Sequence, residues 1–305
     1  MRNIIRCGIA FISIITALSA YADTAIANAI VGKSLWTTIA RVHPTQPEVG
    51  TREVAYKVNR FKLDAHKRFD EYCEKMGAQG VLSYSAKSKL AKRNSFSCKA
   101  AYGSDASALE TVVIAPNHHI YLTDGHHTLT SFDTITGSEL PVLVSVTHDF
   151  RALKNMDEFW QKMQTLHLVW LHSSSQGDIQ PAQLPQHLGL KFMKDDPYRG
   201  VLYFVRDIGY QKPRNPPAFL EFYWEQWLKK NIDLSKYDLN SRSDYAALVS
   251  DVAHKMVNLA PNAIVAKAGT KEFRASELGA LRHFNQHQMA KLVSPQGKLA
   301  YAFAN

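Results

Sequence analysis

Cysteine is scarce: the 305 residues contain three, too few for the dense disulfide framework that holds small secreted domains together. At this length a chain can bury a core large enough to fold without such staples. Beyond the first 22 residues no apolar run approaches the ~18 residues that a membrane-spanning helix needs. Internal repeats are absent, and the spacing of His and Cys matches no standard zinc pattern, so no structural zinc is expected. Acidic residues are outnumbered, 27 Asp and Glu against 36 Lys and Arg, for a net charge of +9. That surplus favours anionic partners such as nucleic acid, phosphate esters or a membrane surface, and says nothing about fold. Hydrophobic residues at 46% and charged residues at 21% are ordinary for a globular protein.

Residues 1–22 combine a cationic head (Arg2, Arg6), an apolar run from Ile9 to Leu18 and small residues around Ala20-Tyr21-Ala22. This is the pattern of a signal peptide, and a periplasmic or secreted protein is expected. Cys7 falls inside this leader without lipoprotein context, leaving Cys73 and Cys98. In an oxidising compartment these two can form a disulfide or remain two separate thiols.

From Arg52 to Met76 apolar positions recur at intervals of three and four, predicting one long amphipathic helix that ends at Gly77. Ser83 to Arg93 is basic and Ser-rich and reads as an exposed loop or an irregular helix end. Glu110–Ala115 and Ile120–Leu122 flank Pro116-Asn117 and predict a hairpin. Asp124-Gly125 ends its second strand, a short helix follows as far as Gly137, and Leu140–Val146 is again β-rich. After residue 150 helices are expected at Met156–Leu166, Phe219–Lys230, Ser243–Leu259 and Ala275–Leu292, with loops at Ser173–Pro185 and Pro213–Pro217. The aromatic face of Leu220, Tyr223, Trp224 and Trp227 reads as packing. The fold class is therefore α+β: an α/β domain over residues 23–150 and a mostly helical region over 151–305.

The densest polar cluster runs from Asn117 to Thr128 and holds four of the 13 histidines with Asp124. If a strand here leads into a helix, Gly125 permits the tight turn, and the amides of His126, His127 and Thr128 become unpaired donors at a helix N-terminus. Such a terminus suits phosphate. The imidazoles add charge or proton-transfer capacity, and Asp124 can orient a histidine, bind a divalent metal or accept a proton. A plainer alternative makes Asp124 the helix N-cap and leaves His118 and His119 as solvated residues of the hairpin tip. Any metal is expected to be Mg²⁺ bound together with phosphate.

The segment Asp124-Gly125-His126-His127 between strand and helix resembles the Asp-Gly-His-His element of the ParB/sulfiredoxin-like superfamily, in particular its ParB-like nuclease branch and the free serine kinases. Upstream, Val42-His43-Pro44-Thr45-Gln46 through Gly50 to Glu53-Val54 resembles the entry motif of the same branch. Asp195-Asp196-Pro197-Tyr198-Arg199 and Phe219–Trp224 resemble its extended C-terminal part. The resemblance implies a small α/β fold with a nucleotide or phosphate site at the helix opened by Gly125. It also makes Glu53 a second carboxylate facing Asp124, the two acids holding a metal or activating water. Glu53 and Lys57 are equally spaced for a plain helix-surface ion pair.

Members of this superfamily carry out different reactions, so fold alone leaves the reaction open. No cysteine stands beside the phosphate motif, which sets sulfiredoxin chemistry aside. Thr128 stands where the kinases carry Arg, and their catalytic Glu matches Gln46, an amide that cannot act as a base. Chromosome segregation is disfavoured by the leader and by the lack of a helix-turn-helix signal after residue 150. The expected function is metal-assisted hydrolysis of a phosphodiester in nucleic acid or nucleotides. Asp124, His126, His127 and Glu53 would be catalytic, with Gln46, Gly125 and Thr128 binding substrate. A nucleotide-dependent small-molecule kinase and a non-catalytic nucleotide-binding protein are the alternatives.

Overall fold

The computed structural model describes residues 26–304, so the expected signal peptide lies outside the described residues. Its central sheet has five strands: β1 (Ser34–Thr38), β2 (Val42–His43), β3 (Glu110–Ile114), β4 (Ile120–Leu122) and β5 (Pro141–Asp149), in the order β1-β5-β3-β4-β2. The expected hairpin is the antiparallel β3–β4 pair, with Val113 opposite Tyr121. Both neighbours of that hairpin run parallel to it, β5 beside β3 and β2 beside β4. Parallel pairing needs crossovers. The β2–β4 pair brings residues 42–43 against residues 120–121, although nearly eighty positions separate them in the chain.

The long helix expected over 52–76 is two helices, α1 (Thr51–Leu63) and α2 (Ala65–Lys75). Apolar spacing continues across the junction, but Asp64 adopts an extended conformation and its carboxylate accepts from the Lys67 amide at 3.1 Å, capping a new helix. With α3 (His126–Thr136), these helices cover one face of the sheet in a core built on Phe61, Phe69, Tyr72 and Phe132. Cys73 and Cys98 are joined in a disulfide, their Cα atoms 5.6 Å apart. A smaller core packs Val113 and Tyr121 of the hairpin against Phe159 and Met163 of α4 (Met156–Thr165).

A third core belongs to α5 (Pro197–Val205), α6 (Leu220–Asn231), α7 (Arg242–Val257), α8 (Gln286–Val293) and α9 (Lys298–Ala302). The aromatic face of α6 is packing, as expected: Leu220, Tyr223, Trp224 and Trp227 are all buried. The expected helix over 275–292 shrinks to α8. A strand over residues 271–274 precedes this span, and within it the chain turns at Gly279, whose φ of +77° no helix accommodates, while Ala280 bridges to Tyr210. Packing continues across residue 150. Helix α1 lies on α3 as well as on α5 and α9, and its Tyr56 lies in the third core. Gly50 and Gly200 allow that approach, because a Cβ on Gly50 would stand 2.5 Å from the Gly200 Cα.

Candidate active site

Residues named from sequence converge on one cleft of about 490 Å³, lined by Gln46, Glu53 and every residue from Asp124 to Thr128. At its floor, α3 starts at Gly125, which sits in the left-handed region at φ +103°. No side chain caps this helix, and the amides of His126, His127 and Thr128 have no hydrogen-bond partner among the described residues. Asp124 is exposed and is not the cap. One of its oxygens accepts from the Gly125 amide at 2.8 Å, which leaves the other open.

The imidazoles do something other than the proton transfer expected of them. His126 Nε2 accepts from the Thr45 amide at 3.0 Å, and His127 Nε2 accepts from the Gly50 amide at 2.9 Å. Both rings are therefore neutral acceptors that fasten the upstream motif to the first turn of α3. Burial, reinforced by the Arg199 charge, pushes His126 down to about 3 and His127 well below the ordinary histidine value. Neither can serve as a general acid near neutral pH. The Thr45 hydroxyl adds a bond to the Leu122 carbonyl at 2.5 Å. Gln46 is buried with its amide donating to the Glu48 carbonyl at 2.6 Å, so it is oriented by the backbone two residues further along. The two motifs are thus halves of one interlocked structure.

Glu53 is committed as well. Its carboxylate meets Arg199 at 3.0 Å and His127 at 3.7 Å, all three buried. The simple Glu53–Lys57 pair is not formed, since Lys57 binds Glu71 at 2.5 Å. Arg199 reaches Glu53 because the 195–199 segment is tied at both ends. Asp195 accepts from the Thr51 amide and hydroxyl at the start of α1, and Asp196 caps α5 through the Arg199 amide at 3.0 Å.

The carboxylate that stands beside Asp124 and Gly125 is Glu110, which the sequence does not single out. It opens β3, is buried, and pairs with Lys75 at 2.9 Å. A Cβ added to Gly125 would lie 2.4 Å from the Glu110 Cδ, so the two residues are in direct contact. Burial raises the proton affinity of Glu110, Lys75 opposes that rise, and the Asp124 charge adds to it. Burial lowers Lys75, but Glu110, Asp124 and Glu71 together raise it by more, and so it stays protonated. The signal in the sequence is an acidic residue at the head of a strand that ends in Val112-Val113-Ile114.

The far wall comes from residues beyond 195. Glu221, in the first turn of α6, binds Arg206 at 2.5 Å and Lys212 at 3.3 Å. Burial would raise its carboxyl, but Arg199, Lys212 and Arg206 together hold it well below the usual carboxylate range. The cleft therefore carries Lys57, Lys75, Arg199, Arg206 and Lys212 against four carboxylates. It can hold an anion on peptide nitrogens, flank that anion with ammonium and guanidinium groups, and offer a carboxyl pair beside it. Among the described residues no group of three or more His, Cys, Asp or Glu is arranged to hold a metal. The open oxygen of Asp124 still suits Mg²⁺, which commonly takes one or two carboxylates and completes its shell with water and phosphate. Glu53, expected to share that ion, is held instead by Arg199.

The family described as "Putative ParB-like nuclease" matches residues 35–230, a span that includes Glu53, Glu110, the turn at 124–128, Arg199 and Glu221. Among solved structures, the crystal structure of protein Atu1540 from Agrobacterium tumefaciens is similar in fold. It has 22% sequence identity and a TM-score of 0.50, over 74% of this chain and 93% of that one. No curated protein matches the chain. With more than half of the chain matched, and with both of the motifs that carry the resemblance meeting in one cleft, the chain belongs to the ParB-like nuclease family.

Proposed function

We propose that the chain is an exported phosphodiesterase that hydrolyses nucleic acid. One observation carries the reading: three peptide N–H groups with no partner among the described residues open a helix in a cleft, beside the Asp124 and Glu110 carboxyls and the Lys75 amine. The surplus of Lys and Arg over Asp and Glu, which remains once Arg2 and Arg6 leave with the leader, suits a polyanionic substrate.

In this reading the amides of His126, His127 and Thr128 hold the non-bridging oxygens of the phosphodiester, where charge accumulates in the transition state. Asp124, exposed and with one oxygen open, orients the attacking water and takes its proton. Glu110, whose burial favours its protonated form, delivers a proton to the leaving oxygen while Lys75 balances the charge. A Mg²⁺ ion held by Asp124 would neutralise phosphate charge and make water more acidic. Arg199, Glu53 and the two imidazoles keep the turn rigid. The leader expected from the sequence supports a location outside the cytoplasm, which fits hydrolysis, because water is available everywhere whereas nucleoside triphosphate is not.

The test is incubation of the purified protein with a panel of DNA, RNA and nucleotides, with and without Mg²⁺ or Mn²⁺. Cleavage that Asp124→Asn abolishes at unchanged Tm supports the proposal. Tight binding without turnover in the unaltered protein would make it a binding protein, and failure to bind any phosphate compound would end the reading altogether.

A further inference from the structure

A second cleft, of about 540 Å³, shares Arg206 with the first and is lined by residues that the proposed chemistry does not use. Its cations are Arg60, Lys67, Arg206, Lys291 and Lys298, and its acids are Asp64 and Asp207. Asp64 is already spent in capping α2. Arg60 and Arg206 have partners in Glu71 and Glu221. Lys67, Lys291 and Lys298 have no carboxylate within ion-pair distance among the described residues. Lys298 is the most telling of them. It is half-buried, its amine stands 4.6 Å over the Tyr203 ring, and burial together with Arg206 lowers its proton affinity. Asp207 and Glu53 favour its charged form from a distance but do not offset burial and Arg206, a cost that an incoming anion would reduce.

The two clefts adjoin at Arg206. Glu71 grips Lys57, which lines the first, and Arg60, which lines the second. Tyr203 lines the first and carries Lys298 of the second on its ring. Cationic side chains therefore line both clefts, Lys75, Lys57 and Arg206 paired with Glu110, Glu71 and Glu221, and Lys291 and Lys298 outside any ion pair among the described residues. A single phosphate would fill only the first. We infer that the second cleft is a subsite for the phosphates that flank the reacting one, so that the ligand is a polynucleotide strand of several residues and not a mononucleotide. This inference rests on the proposed nuclease reading and narrows its substrate.

The experiment is fluorescence anisotropy with labelled oligothymidylates of two and twelve nucleotides, run with the full protein at several salt concentrations alongside a cleavage assay. The twelve-mer should bind at least about tenfold more tightly than the dimer. Lys67→Glu and Lys291→Glu, both at exposed positions, and Lys298→Gln should erase most of that gap at unchanged Tm while leaving dimer binding alone. For every phosphate that a variant no longer neutralises, the slope of log affinity against log salt should also flatten by about 0.7. Equal affinity for the two lengths, or variants that bind the twelve-mer as tightly as the unaltered protein, would overturn the subsite. Length-dependent binding that the variants abolish, in a protein that cleaves nothing, would keep the subsite and reject the nuclease. Cleavage with no length dependence would do the reverse.

Discussion

The Glu110 carboxyl fills the space that a side chain on Gly125 would need, with its Cδ 2.4 Å from the position of the missing Cβ. This packing explains why glycine is required at the turn for more than its φ of +103°. A left-handed conformation costs a residue with a Cβ roughly 1–2 kcal/mol, and crowding a packed site adds about 1–3 kcal/mol. Gly125→Ala should therefore lose both amounts, whereas in a Glu110→Ala background it should lose only the first. Urea denaturation of the four proteins measures this. The same loss in both backgrounds would mean that the carboxyl is not packed against the turn.

Stability should fall with acid on account of the motif histidines. His126 is held neutral with its pKa at about 3 in the folded protein, against an ordinary value of 6.5. Below pH 6.5 the unfolded chain takes up a proton that the folded chain refuses. The stabilisation is thus fully present above about pH 6.5 and drains away as the pH falls toward 3, at up to about 1.4 kcal/mol per pH unit for one proton. His127, also lowered by burial, acts in the same direction. His126→Gln keeps an acceptor for the Thr45 amide and should remove close to one proton from the pH slope between 4 and 6, as read by denaturant titration. An unchanged slope would mean that His126 takes up its proton in the fold.

Glu53 and Asp124 should separate when each is replaced by its amide. Arg199 lies 3.0 Å from Glu53 with both side chains buried, and removing one charge of a buried pair typically costs about 3–5 kcal/mol. Glu53→Gln should lower Tm markedly yet retain turnover below its melting temperature, while Asp124→Asn should keep Tm and lose turnover. Loss of turnover at full stability in Glu53→Gln would restore Glu53 to the chemistry.

Reduction of the Cys73–Cys98 bond, which closes a separation of 25 residues, should cost about 3 kcal/mol by chain entropy. Denaturation with and without reductant reads this directly. A shift below about 1 kcal/mol would show that the segment between them stays ordered in the unfolded chain.

Local features were the most legible in the sequence. The hairpin, the turn at 124–125 and the helix that ends at Gly137 carry their own signals in alternation, glycine and helical spacing. What escaped depended on partners distant in the chain. The His126–Thr45 and His127–Gly50 bonds span 81 and 77 residues, and Arg199 finds Glu53 across 146. No pattern within a window of ten could tell an imidazole that donates a proton from one that accepts a peptide N–H. Glu110 was hidden for the same reason, since its importance comes from Gly125 and Lys75 and not from its neighbours in β3. The break at Asp64 was local but was masked by apolar spacing that continues through it.

The central claim is that peptide nitrogens at the start of α3 receive a phosphate. Titration of the ¹⁵N-labelled protein with a short oligothymidylate, followed by amide resonances, tests this most directly. The account predicts that His126, His127 and Thr128 shift together and among the furthest, with a common saturation curve. Saturable binding that leaves these three amides unmoved would contradict it.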